Sequence, residues 1–283
     1  MTVPPIVLKT SRFTIEGKSR AGNETWFRLR ELNIALDIGR CPDSLISVPD
    51  IFITHAHIDH AMGVPLYAAQ RGLQGMPRGR VHVPAENLDG FRELMAIHAR
   101  LEQCSYDLDL VGVTPGDRIS LHRNLQVRAH QASHRVPALA FEVVETRRKL
   151  KPELRHLTGN EIAQLRKEGS DPTDATEVSL LFYTGDTDRN LLVSGHPMFR
   201  SEVLIAECSF TGVDDRGRAE KYRHLHFDDL CEVSEEIESE LVLLVHFSLR
   251  DSPAEIHANI SRRCPPSLRE RIRLGLPEPF MRL

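Results

Sequence analysis

The segment Thr54-His55-Ala56-His57-Ile58-Asp59-His60 constrains this chain more than any other stretch. Three histidines and an aspartate fall within six residues, directly after the apolar run Ile51-Phe52-Ile53. An extended run that stops and presents His-x-His-x-Asp-His puts several polar side chains at the mouth of a β-strand. Neutral imidazoles with a carboxylate form a donor set suited to Zn²⁺, and soft thiolates are missing from it. Fourteen histidines are scattered through 283 residues, so a lone His-x-His would carry little weight. The full pattern, set against a buried-strand signature and followed by Met62-Gly63, points to a metal site.

Such a site needs a core to stand on. At 41% hydrophobic and 27% charged residues the chain has the material of an ordinary soluble globular protein, long enough for one large domain or two small ones. The formal charge of −4 carries no global nucleic-acid signature, so RNA binding would rest on local patches. The five cysteines (Cys41, Cys104, Cys208, Cys231, Cys264) are odd in number and nowhere spaced Cys-x-x-Cys. That argues against a disulfide framework or a cysteine zinc site and fits a reducing cytoplasm. No charged-then-apolar leader opens the chain, and no apolar run approaches the ~18–20 residues of a membrane span. A cytoplasmic protein is expected.

Short extended runs separated by Gly17, Gly22-Asn23 and Gly39 to Pro42 read as strands and hairpin turns through residue 50. A short helix is expected from His60 towards Ala68. A second, over Glu86 to about Gln103, would present Leu88, Phe91, Leu94, Met95, Ile97, His98 and Leu101 on one apolar face. Residues 147–176 are the one plausible insertion. They open with the basic Arg147, Arg148, Lys149, Lys151 and Arg155, and Thr158 with Glu161 forms a capping-box pattern for a short helix through Leu165. A solvated loop is the default for this segment. A second basic cluster gathers Arg262, Arg263, Arg269, Arg271 and Arg273.

Further candidate donors follow at the ends of other apolar runs. His130 and His134 compete in the polar tip between the strand ending near Ala129 and the run Leu139-Ala140-Phe141. The strand Val178–Tyr183 runs into Thr184-Gly185-Asp186, where glycine permits a tight turn beneath a carboxylate able to bridge two cations about 3.5–4 Å apart. Leu241–Val245 is fully apolar and ends in His246, ahead of a helix opened by Ser252, Pro253 and Glu255.

The His-x-His-x-Asp-His stretch resembles the signature of the metallo-β-lactamase superfamily. Ala35-Leu36-Asp37-Ile38-Gly39 is similar to the turn that precedes it there, with Asp37 in a supporting role, and His134-Arg135-Val136-Pro137 is similar to the segment that favours His134 over His130. The resemblance implies an α/β fold, a four-layer αββα sandwich, here a single domain over 1–283. It also implies two Zn²⁺ per chain. His55, His57, His134 and Asp186 would hold one, and Asp59, His60, Asp186 and His246 the other. Glu207-Cys208-Ser209-Phe210, and Tyr222-Arg223-His224 seventeen residues past Glu207, resemble motifs of the ribonuclease Z branch, the tRNA 3′-processing endonucleases. There the glutamate orients the histidine, which assists the leaving oxygen, while a hydroxide shared by the metals and oriented by Asp59 attacks phosphorus. The implied partners are precursor tRNA and, as in many members, a second copy in a homodimer. Two departures stand out: His224-Leu225-His226 replaces His-Ser-Thr, and residues 147–176 lack the Gly/Pro-rich sequence of the arm that grips tRNA, so the two basic clusters would have to supply the phosphate contacts. A hydrolase of a smaller phosphodiester, such as a cyclic nucleotide, is therefore the alternative enzyme. A sulfate ester, thioester or lactone is a remoter substrate, and a silent metal-stabilised scaffold is the non-enzyme reading.

Overall fold

The apolar runs and their glycine-rich punctuation become fourteen strands in two sheets in this computed structural model, which describes residues 4–122 and 124–283. The first sheet takes its strands in chain order: β1 (Ile6–Lys9), β2 (Thr14–Arg20), β3 (Glu24–Leu29), β4 (Ile34–Leu36), β5 (Asp50–Phe52), β6 (Gly79–Pro84) and β7 (Leu108–Val113). The second repeats the plan with β8 (Arg118–Ser120), β9 (Leu125–Gln131), β10 (Leu139–Leu150), β11 (Thr173–Tyr183), β12 (Val203–Glu207), β13 (Leu241–Val245) and β14 (Ile272–Leu274). In each sheet the first four strands are antiparallel and the remainder join in parallel.

Side-chain alternation builds the layers. Ile205, Leu243 and Val245 face a central core shared with Phe27, Leu36 and Phe52 of the first sheet. Their neighbours Leu204, Ala206, Val242 and Leu244 face outwards, onto α7 (Phe227–Glu232), α8 (Pro253–Arg263) and α9 (Pro266–Arg269). On the other outer face Ile51, Ile53, Val81 and Val83 pack against α1 (Asp43–Ile46), α3 (Val64–Leu73) and α4 (Leu88–Glu102). Two short helices, α2 (Ile58–Ala61) and α6 (Arg216–Tyr222), lie beside the polar strand ends. The result is the four-layer αββα sandwich expected from the sequence.

Two expectations change in detail. On α4, Phe91 and Met95 are buried, whereas Ile97 and Leu101 are 46% and 71% exposed, so the apolar face is narrower than the spacing suggested. Residues 147–176 do not form a solvated loop. Strands β10 and β11 run on as a paired hairpin out to Leu150 opposite Thr173, and α5 (Gly159–Lys167) caps it with the Thr158–Glu161 capping box formed. Charge pairing explains the extension. Arg147 reaches Glu145 and Glu202, and Arg148 reaches Asp171, so the basic run is partly neutralised along the ladder. The C-terminal cluster is likewise engaged internally. Arg269 and Arg271 donate to backbone carbonyls, as does Arg273, and Arg263 pairs with Asp228.

Polar groups brace the first sheet where β5 begins. The buried Asp50 carboxylate accepts from Arg80 at 2.8 Å and His82 at 3.0 Å on β6. Burial alone would raise its pKa, yet these hydrogen bonds hold it below 3.8. A carboxyl with a lower pKa folded than unfolded stabilises the fold above the unfolded value and loses that contribution as pH falls through the folded one. Asp50→Asn is therefore expected to cost about 1–2 kcal/mol at neutral pH, a deficit that shrinks below pH ~4. Urea midpoints measured across that range check this, and a constant deficit would contradict it.

Candidate metal centre

The parallel strands of both sheets end at one edge of the sandwich, and the polar residues singled out above follow those ends. Crevices outside the carboxyl ends of parallel strands are where open α/β sheets gather ligands. After β4, Asp37 turns into the core at a φ of +58°, fully buried. It accepts hydrogen bonds from the Thr54 amide at 2.7 Å, the Thr54 hydroxyl at 3.0 Å and the Tyr183 hydroxyl at 2.7 Å. The Thr54 contacts fix the point at which the chain leaves β5. Helix α2 starts after His57 and folds Asp59 and His60 back over the strand end. At the end of β11, Gly185 has a φ of +57°, and a Cβ there would lie 2.7 Å from the Thr54 side chain. Only glycine lets Asp186 approach the histidine motif so closely.

The side chains form two adjoining groups. In one, His55 Nε2 lies 2.9 Å and His134 Nε2 3.3 Å from His57 Nδ1, and Asp186 Oδ2 is 3.6 Å from His55. In the other, His60 and His246 bring their Nε2 atoms within 3.2 Å, with Asp59 Oδ2 3.4 Å from His246. Asp186 Oδ1 is 3.4 Å from both of these rings, so its two oxygens face different groups. His130 lies apart, bonded to Glu142 at 3.0 Å.

The donor set fits divalent cations. The far nitrogens of four rings are occupied: His55 by Thr54, His60 by Asp37, His134 by the Arg223 carbonyl and His246 by Ser209. Such outer hydrogen bonds fix the tautomer and turn the inner lone pair towards a metal. Burial, and the imidazoles crowded beside them, keep His55 and His57 below 6.5 and therefore neutral. Asp37, Asp59 and Asp186 converge with no lysine or arginine paired to them among the described residues, where Asp186 Oδ1 is also buried without a hydrogen-bond partner. His60 registers this excess of negative charge: burial acts to lower its pKa, but Asp186 and Asp37 push it up to about 10. Because Asp186 faces both groups, Asp186→Ala is expected to weaken metal retention at least about tenfold, while Asp50→Asn leaves it unchanged. Metal content after gel filtration checks this, and full retention in Asp186→Ala would show that the groups do not depend on the shared carboxylate.

Beside these groups Glu207, at the end of β12, accepts from His224 Nδ1 at 2.7 Å. The carboxylate also takes the Thr187 amide at 2.9 Å and the Ser209 hydroxyl at 2.7 Å, which hold it in one orientation. Burial works against a charged His224, but Glu207 outweighs it and raises the imidazole to about 9. His224 is thus protonated near neutrality, with Nδ1 committed to Glu207. His226 plays another part, capping α7 and donating to the Gly212 carbonyl at 2.8 Å.

Ser209, Tyr183, Gly22 and Arg223 were given no role in the site from the sequence. Ser209 lies 3.2 Å from His224 and 3.0 Å from His246, linking the pair to the second group. The Gly22 amide donates to Asp59 at 2.7 Å, and the Arg223 contribution is a carbonyl, held at a φ of +58°. Backbone groups leave no side-chain signal. Ser209 could have been found as the hydroxyl two residues past Glu207.

Comparison with known proteins agrees with this arrangement. The Beta-lactamase superfamily domain matches residues 25–247. The chain is 34% identical over 259 residues to "tRNase Z TRZ1" of Arabidopsis thaliana, covering 90% of this chain and 92% of the relative. It is 32% identical to "tRNase Z TRZ2, chloroplastic" of the same plant, covering 86% and 70%. Among solved structures it superposes on the short form of human tRNase Z with a TM-score of 0.58 at 17% identity, covering 82% of this chain and 92% of that one. By the extent of these matches, the chain belongs to the tRNase Z family of the β-lactamase superfamily.

Proposed function

We propose that this protein is a zinc-dependent endonuclease that removes 3′ trailers from precursor tRNA. The observation that carries the reading is the Glu207–His224 pair beside the two donor groups, with His224 Nδ1 4.0 Å from Asp186. A ribose 3′-oxygen leaves poorly unless it is protonated, and an imidazolium fixed by a carboxylate meets that need. In this reading His55, His57, His134 and Asp186 would hold one Zn²⁺, and Asp59, His60, Asp186 and His246 would hold the other. The ions, when bound, supply Lewis-acid stabilisation and an acidified water. Asp59 is held by the Gly22 amide and is ionised down to a pKa of about 2, burial notwithstanding, through its bond with His246. It orients the attacking water. His224 gives its Nε2 proton to the departing oxygen, leaving an RNA 3′-hydroxyl and a 5′-phosphorylated trailer.

The names of the plant relatives support tRNA as substrate. No Gly/Pro-rich arm occurs between β10 and β11, but Lys149, Lys151 and Arg155 there make no ion pair among the described residues and are available to phosphates. The same lack of an arm favours, as second reading, a smaller phosphodiester. No helix among the described residues is long and apolar enough to cross a membrane. Five free cysteines support a reducing cytoplasm, and the exposed Leu66, Leu73, Ile97 and Leu101 of α3 and α4 offer apolar surface to a second copy in a homodimer.

End-labelled precursor tRNA and bis(p-nitrophenyl) phosphate, run side by side, test the reading. Cleavage at the trailer junction, lost on chelation and in Asp59→Ala, is expected. Hydrolysis of the diester alone would move the substrate to a small phosphodiester. His224→Ala should slow RNA cleavage about 100-fold while sparing the nitrophenyl diester, whose leaving group needs no proton. Since the acid is lost as pH rises through about 9, kcat/KM on RNA should fall there. Glu207→Gln, removing the charge that raises the pKa, should move that fall to lower pH. An unmoved profile would remove Glu207 from this role.

A further inference from the structure

The cavity over the donor groups, about 160 Å³, has Arg135, Phe210 and Tyr222 among its lining residues, and the proposed chemistry leaves them unused. Arg135 follows His134 in the β9–β10 loop. The loop backbone is pinned, with the Ser133 amide donating to Thr187 at 3.0 Å and the Asp188 amide to the Ser133 carbonyl at 2.8 Å. The Arg135 side chain is nevertheless exposed and has no hydrogen bond or ion pair among the described residues. The neighbouring cations are engaged: Arg223 with Asp188 at 3.0 Å, Arg218 with Asp215 at 2.7 Å, and Lys221 with the Tyr222 ring, 5.5 Å from its centre, a contact that a base stacking on that face would displace.

Phe210 is buried beneath the Arg218 guanidinium, 4.9 Å from its ring centre. It lies nearly parallel to Tyr222, at 17° and 6.5 Å between centroids, and so backs that ring. Tyr222 is half-buried, two residues before His224, and its hydroxyl has no partner among the described residues. A rigidly based, unpaired guanidinium and a backed aromatic ring therefore share one small cavity with the general acid. Flexible arginines with free N–H pairs take phosphates, and aromatic rings take bases.

We propose that this wall is a subsite for the nucleotide flanking the scissile phosphate. Its base stacks on Tyr222, backed by Phe210, and Arg135 holds the next phosphate through paired N–H donors. The inference rests on the reading of the substrate as RNA and makes the enzyme selective for single-stranded nucleotides over bare diesters.

Fluorescence anisotropy of a labelled nine-nucleotide single-stranded RNA ending in a 3′-hydroxyl, titrated onto the metal-loaded enzyme, tests it. RNA length and protein metal content are checked in each sample. Arg135→Gln should raise Kd about tenfold and reduce the slope of log K against log salt by about 0.7. Tyr222→Leu should raise Kd about tenfold with the slope unchanged, and Tyr222→Phe should bind like wild type. Wild-type affinity in both Arg135→Gln and Tyr222→Leu would overturn the subsite. So would equal losses in Tyr222→Phe and Tyr222→Leu, or a parallel loss of metal, which would mark a structural role. Binding with the expected dependences but no cleavage of precursor tRNA would sink the tRNA reading and leave the subsite standing. Cleavage of precursor tRNA with variants that bind normally would sink the subsite alone.

Discussion

Three buried carboxylates, Asp37, Asp59 and Asp186, meet at the strand ends with no lysine or arginine among the described residues to balance them. Ionised carboxylates out of water demand compensation, and here, among the described residues, imidazoles and backbone or hydroxyl donors surround them. Much of the architecture follows from that demand. Asp37 collects Thr54, His60 and Tyr183, which ties β4, β5, α2 and β11 to one point. Asp186 keeps an oxygen with no hydrogen-bond donor among the described residues, an arrangement that a cation satisfies. The glycine at 185, the left-handed backbone at Asp37 and at His246, and the crowding of five rings are conformational costs located where the charge is. Strain of this kind persists only where surrounding packing over-determines it.

That packing is unusually symmetric in plan. Each sheet gives four antiparallel strands and then parallel ones, so the carboxyl ends of β4, β5, β11, β12 and β13 all open on the same edge. Antiparallel hairpins contribute loops there too, which is how His134, between β9 and β10, and Gly22, between β2 and β3, reach the same cavity. Long-range strand order, rather than local sequence, thus brings residue 22 beside residue 59 and residue 134 beside residue 223.

The difference between local and long-range information explains what could be read in advance. His55, His57, Asp59 and His60 declare themselves through spacing within one segment, and the apolar strands before Asp186 and His246 mark those residues as strand-end groups. The four-layer arrangement was implied by the family resemblance that these residues carry. Partners made by the backbone could not be read: the Gly22 amide and the Arg223 carbonyl carry no residue preference that points to Asp59 or His134. The segment 147–176 misled for a different reason. Charged residues read as solvated, but in a two-stranded ribbon each basic side chain can lie against an acid on the neighbouring strand or turn, as Arg148 does with Asp171. The arginines near the C-terminus misled likewise, because a guanidinium near a helix end or strand end satisfies free carbonyls as readily as phosphates.

The same logic separates the two kinds of positive charge that a nuclease needs. Where a cation must stay, it is internal and paired: Arg71 holds the carbonyls of Ile46 and Val48, and Arg271 those of Ile237 and Ser239. Where a cation must await a ligand, it can have no partner in the protein, or the ligand would have to displace one. Arg135 meets that condition beside the donor groups, and Lys149, Lys151 and Arg155 meet it on the hairpin. With a net charge of −4 the chain has little positive charge to spare for attracting a polyanion at long range. On the proposed reading of the substrate, contact with RNA comes from a few cations unpaired among the described residues and set on rigid backbone, close to where phosphorus reacts, and from stacking, which no charge balance opposes.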